Sequence, residues 1–321
     1  MPYLYHLLAM EAINDIPLPE VYRTIARGGL VRRLLELARD EDLGQGDSRG
    51  DITSLVTIPE ELSGKAALVA RGPGIVAGLA ALPDILEVFG GGLRTEHLVQ
   101  DGAAVERGTV LARLYGPMRQ ILTVERTVLN VVGRLSGVAS RTAAFVRAIG
   151  GSRARIYDTR KTTPGLRVLE KYAVRCGGGR CHRLGLHDAV LIKDNHIAGV
   201  PLAELARVIG GAARAARAQR PGLTFVEVEV DSLDQLNEIL MLPGGLVDIV
   251  LLDNMDVPTL RRAVQMRDGS VGRPELEASG GVRPENLAEI ASTGVDRISA
   301  GALTHSVSSL DVALDVETSG A

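Results

Sequence analysis

Residues 224–230 read TFVEVEV and residues 247–253 read VDIVLLD. ELEASG (275–280) and VDRISAG (295–301) continue the texture: a short β-rich run closing on a polar or small residue. Upstream, RARIYD (153–158) and AVLIKD (189–194) have the same form, making six such runs. Each is followed by a turn or a helical stretch, and strands alternating with helices imply a parallel sheet. Six units within roughly 150 residues favour a closed or nearly closed β/α barrel over an open doubly wound sheet. Asp158, Lys193, Glu229, Asp253, Ser279 and Gly301 fall at or just past the C-terminal ends of these runs. Barrel enzymes assemble their sites there.

Before the barrel, MRQILTVERTVLNVVGRLSG (118–137) carries Ile121, Val124, Val128 and Leu129 at helical spacing and predicts a long helix over 118–149. Between 64 and 114, the β-like runs KAALVA (65–70), GIVAGL (74–79) and TVLARLYG (109–116) are separated by Gly turns, with a helical segment near 79–88. The first forty residues read as helical, with Leu30, Leu34, Leu35 and Leu37 as an apolar stripe ahead of the loop DEDLGQGDSRGDITS (40–54). The expected fold is therefore α/β: an N-terminal α+β sandwich domain over 1–129, then an incomplete β/α barrel of about six to seven parallel strands over 130–305. Residues 306–321 are expected to form a tail that packs back on the N-terminal domain.

A chain of 321 residues with 45% hydrophobic content can bury a sizeable core. No apolar run approaches the roughly 18–20 residues of a membrane span. The opening MPYLYHLLAM lacks the basic stretch and cleavage site of a signal peptide, so the cytoplasm is the expected location. Cys176 and Cys181 form a C-x4-C pair beside His182, but with no further Cys or metal-spaced His nearby they read as incidental reduced thiols.

From Arg153 to Lys193 there are ten Arg or Lys against three acids, although the whole chain has a net charge of −3. The positive charge is therefore local. Arg167, Lys171 and Arg175, at i, i+4 and i+8, predict a solvated helix face. Arg160, Lys161, His182, Arg183 and Lys193 instead flank turns and strand ends, where side chains converge on a ligand. Nucleic acid is not the expected ligand, because the sequence pI is 6.1 and the aromatic content is 3% with no Trp for stacking.

Glu227 and Glu229 alternate with valines, so their carboxylates point to one side of a strand. Facing a barrel interior, they need cations or a metal to offset burial. Asp253 ends the next strand, and two oxygen donors on neighbouring strand ends suit Mg2+, which keeps several waters and is completed by substrate phosphates. EASGGVRPENL places Ser279, Gly280 and Gly281 between a strand and a helix expected to start near Pro284, where backbone N–H groups could hold a phosphate. The following turn, Ala300, Gly301 and Ala302, lies on the neighbouring strand, and adjacent small-residue loops on the last strands are the usual phosphate position in a barrel.

Together DTRKTTPG (158–165), KYAVRCGGG (171–179) with His182 and Arg183, LIKDNH (191–196), VEVEV (226–230), LLDN (251–254), EASGG (277–281), AGALTHS (300–306), GDIT (50–53) and ERTVLN (125–130) resemble the quinolinate phosphoribosyltransferase family. The similarity spans Glu41 to Ser306. It implies transfer of phosphoribose from phosphoribosyl pyrophosphate to quinolinate, with loss of CO2, in the de novo route to NAD. It also implies roles. Arg126, reaching in from the second subunit of a homodimer, would bind the quinolinate carboxylates with Thr159, Arg160, His182 and Arg183. Lys161 and Lys193 would sit between the two anionic substrates, and Glu229 and Asp253 would face the ribose and Mg2+. Ser279, Gly280, Gly281 and the Ala300–Ala302 turn would take the 5'-phosphate.

Two departures from the family pattern, the longer GQGDSRGDIT run (44–53) and AGALTHS where VGALTHS is commoner, leave the polar set intact. His187 reads as incidental, and His196 and His305 as structural. The nearest rival is a paralogous barrel group associated with molybdenum transport, in which the Lys of LIKDNH is altered, so Lys193 favours the quinolinate enzyme. A non-catalytic barrel that only senses phosphorylated ligands is disfavoured by the complete set of carboxylate-binding and metal-binding residues.

Overall fold

The structure, a computed structural model, describes residues 10–46 and 49–317. Residues 1–9 of the expected helical opening, Asp47 and Ser48 of the extended loop, and the last four residues of the tail lie outside the described residues.

Twelve strands are present among the described residues: β1 Ser63–Ala70, β2 Gly74–Ile75, β3 Arg94–His97, β4 Ala104–Val105, β5 Val110–Pro117, β6 Arg155–Tyr157, β7 Val190–Ile192, β8 Val226–Val230, β9 Ile249–Asp253, β10 Glu275–Ser279, β11 Arg297–Ser299 and β12 Val312–Glu317. β12, β1, β5 and β3 form one antiparallel sheet in that order, with Lys65 opposite Glu317 and Ala70 opposite Val312. The last strand of the chain thus lies beside the first. Helices Leu18–Arg27 and Leu30–Leu43 precede this sheet, joined through Gly29, whose φ of 74° is open to glycine at little cost. In the second helix Val31 and Leu35 are buried but Leu37 is 66% exposed, so the stripe expected of Leu30, Leu34, Leu35 and Leu37 does not include its last member. Two residues of helix turn through about 200°, which puts Leu37 on the face opposite Leu35.

The long helix runs from Met118 to Ala148 and buries Ile121, Val124, Val128, Val132, Leu135 and Val138. It crosses residues 129 and 130 without a break, packing on β1, β5 and β12 at one end and β6 at the other. Gly133 and Gly137, one turn apart, let the returning segment 308–310 lie directly on the helix: Leu310 N–H donates to Gly133 O at 2.9 Å, and a Cβ on Gly137 would overlap Ser308 O.

The second sheet is six-stranded and parallel, in the order β6-β11-β10-β9-β8-β7. β6 and β7 are its two edges, so the barrel is incomplete, as the sequence predicts. Helices Leu202–Gln219, Leu233–Leu240 and Val257–Asp268 follow the strands, and two are capped by the residues that end the preceding loops. The Ser232 side chain accepts from Gln235 N–H and that of Asp256 from Thr259 N–H. No described helix is long and apolar enough to cross a membrane.

Helix Arg167–Cys176 corrects one expectation. Arg167, Lys171 and Arg175 do not form a solvated face. Lys171 is 1% exposed, Arg167 donates to Thr162 Oγ1 and Leu184 O, and Arg175 donates to the carbonyls of Ile13, Ile16 and Gly179. The i, i+4, i+8 spacing is real, but the face it defines is covered by neighbouring chain.

Candidate active site

Above the C-terminal strand ends opens a cavity of about 740 Å³. Asp158, just past β6, organises its cationic wall. Its carboxylate, fully buried, accepts from Lys171 Nζ at 2.6 and 2.7 Å and from the His182 backbone N–H at 2.6 Å. Lys171 also donates to His182 O at 3.1 Å. This buried ion pair ties the Cys181–Arg183 segment to the end of β6 and sets where Arg183 and Arg160 meet. Burial pushes the Asp158 carboxyl above its ordinary value, and Lys171 opposes the shift.

Arg183 is 7% exposed and its guanidinium reaches only Ala189 O, at 3.4 Å, among the described residues. Burial, and then the nearby Arg160, push it below the usual guanidinium value. Arg160 Nε is itself buried without a partner among the described residues. Two guanidinium groups held side by side with unspent donors and no acid between them form an anion site. Thr159, on the same wall, closes the turn by accepting Lys161 N–H at 3.0 Å. Lys161 is exposed at the rim, and Gly301 makes room for it, since a Cβ there would meet Lys161 Cδ at 2.8 Å.

Acids stand on the other side. Glu229 of β8 accepts from Lys193 Nζ, and Asp253 at the end of β9 accepts from Asn254 Nδ2 at 2.8 Å. Glu229 and Asp253 also line an adjoining cavity of about 360 Å³, with Asp194 and Asp231 on its wall. Such hard oxygen donors fit Mg2+. Asp253 and Ser279 are direct partners across β9 and β10. Asn254 has a φ of 52° and sends its N–H to Ser279 O at 2.9 Å, and a Cβ on Gly280 would collide with the Asn254 side chain. Gly280 and Gly281, with φ of 85° and 58°, shape the next rim of the cavity, followed by Ala300, Gly301 and Ala302. The helix expected near Pro284 begins only at Leu287. Residues 284–286 form a turn, and Asn286 bonds back to Arg283 N–H and Gly281 O. This rim of the cavity is therefore backbone of the glycine turn, not a helix start.

The structure thus brings Thr159, Arg160, Lys161, His182, Arg183, Lys193, Glu229, Asp253, Ser279, Gly280, Gly281 and the 300–302 turn to one cavity. Arg126 does not line it. Its side chain is 66% exposed on the long helix, with Glu125 at 3.8 Å. His182 lies at the floor with both ring nitrogens engaged by the protein, Nδ1 by the Arg183 N–H at 2.8 Å and Nε2 beside Glu227 at 2.8 Å. Both cysteines are free and buried, and burial pushes the Cys181 thiol up to about 12, so it stays protonated. The sequence reading passed over Glu277 and Arg297. The alternation that paired Glu227 with Glu229 applies equally to ELEAS, where Glu275, Glu277 and Ser279 share a face.

The family models for the quinolinate phosphoribosyl transferase N-terminal and C-terminal domains match residues 51–136 and 138–315. The chain belongs to this family. It is 46% identical over 287 residues to the nicotinate-nucleotide pyrophosphorylase [carboxylating] of Mycobacterium leprae, covering 89% of this chain and 96% of the relative. It is 39% identical to the probable enzyme of the same name from Bacillus subtilis, over 90% of this chain and 94% of that one. The solved nicotinate-nucleotide pyrophosphorylase of Francisella tularensis superposes with a TM-score of 0.78 at 35% identity, covering 95% of this chain and 99% of that chain.

Proposed function

We propose that the chain transfers phosphoribose from phosphoribosyl pyrophosphate to quinolinate and releases CO2, giving nicotinate mononucleotide and pyrophosphate for NAD synthesis. One observation carries this reading: the unspent Arg160–Arg183 pair faces Glu229 and Asp253 across a single cavity rimmed by small-residue turns. A planar dianion suits the guanidinium forks, and a phosphorylated ribose suits the opposite side.

In the reaction the pyridine nitrogen attacks the anomeric carbon as its bond to pyrophosphate oxygen breaks, with positive charge developing on the ribose. Arg160 and Arg183 would fix the ring so that the nitrogen faces that carbon, which contributes through orientation. Lys161 and Lys193 would lie where the departing pyrophosphate gathers negative charge. Lys193 must release Glu229 for both to reach substrate, so substrate entry exchanges one ion pair for others. N-ribosylation leaves a pyridinium, which stabilises the electron pair left on the ring carbon as CO2 departs, and that carbon then takes a proton from water to give nicotinate mononucleotide. Mg2+, when bound through Glu229 and Asp253, directly or through water, would neutralise pyrophosphate charge.

A cytoplasmic homodimer is part of the same proposal, with Arg126 of each chain completing the site of the other. Its exposure on the long helix, away from the cavity of its own chain, supports that arrangement. Neither Arg126→Ala nor Lys193→Ala chains should turn over alone, but mixed and re-equilibrated they should regain about a quarter of unmutated activity, from the one intact site that each mixed dimer carries. Failure of rescue would rule out shared sites. The reaction itself is tested by pyrophosphate release on mixing the protein with Mg2+, quinolinate and phosphoribosyl pyrophosphate. No release would end the reading.

A further inference from the structure

Arg134 leaves the long helix beside Gly133, where the segment returning from the barrel to β12 lies on it. That segment is neither helix nor strand, so the carbonyls it turns to the helix need donors from elsewhere. Arg134 supplies them: Nη2 donates to Thr304 O at 2.6 Å and Nη1 to Val307 O at 3.2 Å. Glu170 of helix Arg167–Cys176, fully buried, matches its charge, Oε1 accepting from Nη2 at 2.7 Å and from Nε at 3.2 Å. Glu170 also accepts the Thr163 N–H at 3.0 Å and the Thr163 hydroxyl at 2.9 Å. One ion pair thus joins two helices, the end of the DTRKTT loop (158–163) and the start of the return segment.

Thr304 carries this bracing into the cavity wall. It is fully buried, and while its carbonyl goes to Arg134, its hydroxyl donates to Lys161 O at 2.6 Å. Its own N–H donates to Gly301 O at 3.1 Å, and the Lys161 side chain lies against Gly301. The main chain of Lys161 and the Ala300–Ala302 turn therefore share one brace. The two guanidinium groups have others. Arg160 O accepts the Thr162 N–H at 2.9 Å, and Thr162 Oγ1 accepts from Arg167 Nε at 2.9 Å. Arg183 follows His182, whose N–H and carbonyl are held by Asp158 and Lys171.

We propose that Arg134 is a positioning residue which, paired with Glu170, holds Lys161 and the Ala300–Ala302 turn in one register for phosphoribosyl pyrophosphate, leaving the Arg160–Arg183 pair to separate ties. The proposal rests on the transferase reading of the cavity. The phosphates of that substrate are to be held by Lys161 and by this turn, so slack between the two is slack in the reacting carbon, and a misplacement of about 1 Å can cost on the order of 100-fold in rate.

Arg134→Met alone would leave Glu170 buried without its cation, mixing lost stability with lost positioning. The double variant Arg134→Met/Glu170→Gln removes that acid and keeps an acceptor for the Thr163 N–H. In urea unfolding it should recover stability relative to the single variant, while kcat/KM for phosphoribosyl pyrophosphate stays down by about tenfold or more and the quinolinate KM moves less than about threefold. Thr304→Val, which takes away only the hydroxyl on Lys161 O and leaves the ion pair whole, should show the same split at roughly threefold to tenfold. Kinetics that return together with stability, equal changes in both KM values, or an unaffected Thr304→Val protein would overturn the proposal. Amide hydrogen exchange of the protein without substrates reads the brace directly: in the double variant, peptides covering 161–163 and 300–305 should exchange about tenfold faster, and those covering 181–183 at an unchanged rate. Uniform acceleration, or none, would equally overturn it. If the Arg134 variants do not fold, Thr304→Val decides by both measurements. Inactivity of the unmutated protein would instead count against the transferase reading, leaving hydrogen exchange to decide the brace.

Discussion

Arg183→Ala should lower kcat/KM for quinolinate by roughly 100-fold to 1,000-fold, equivalent to about 3–4 kcal/mol of transition-state binding. The guanidinium is nearly buried and, among the described residues, is committed to the protein only through Ala189 O at 3.4 Å, so its donors are available to the ligand. Removing it loses charge-assisted hydrogen bonds in a poorly solvated site, where they are worth most. Arg183→Lys should recover only part of the activity, because an ammonium group lacks the planar fork that matches a carboxylate. Steady-state kinetics with quinolinate as varied substrate supply the check. A loss under about threefold would mean that the carboxylates lie elsewhere.

Lys171→Met should cost about 3–5 kcal/mol of folding stability, read from urea unfolding. The substitution preserves the apolar stem but leaves Asp158 fully buried without its cation and without two of its hydrogen bonds, so it must carry an unpaired charge or take up a proton. Adding Asp158→Asn should return much of the loss, since a neutral amide still accepts the His182 N–H and needs no cation. An exposed surface lysine would cost under 1 kcal/mol and show no such recovery. Because Asp158 and Lys171 also fix the segment that carries Arg183, the single variant should raise the quinolinate KM before it unfolds.

The two outcomes bear on what the sequence made legible. The barrel was readable because its strands end on polar or small residues at regular intervals, and the same endings delivered most of the cavity wall. Lys171 was misread because helical spacing identifies which side chains share a face and says nothing of what covers that face. The covering comes from residues 13–16 and 181–184, distant in sequence. Leu37 failed for the converse reason: an apolar residue two positions from a buried one lies across the helix from it. The helix start at Leu287 was misplaced because Asn286 closes a turn back to Gly281 and delays the first helical residue. Glu277 and Arg297 were missed because a charged pair inside a barrel is visible only once β10 and β11 are known to be neighbours.

The central claim is that the cavity is built for two adjacent carboxylates on one ring. Product formation from phosphoribosyl pyrophosphate and Mg2+ with either quinolinate or nicotinate tests it most directly. Quinolinate should yield pyrophosphate, CO2 and nicotinate mononucleotide, while nicotinate, lacking one carboxylate, should react with kcat/KM lower by roughly 100-fold or more, because it leaves buried guanidinium donors unpaired. Equal turnover of both acids, or turnover of nicotinate alone, would contradict the account.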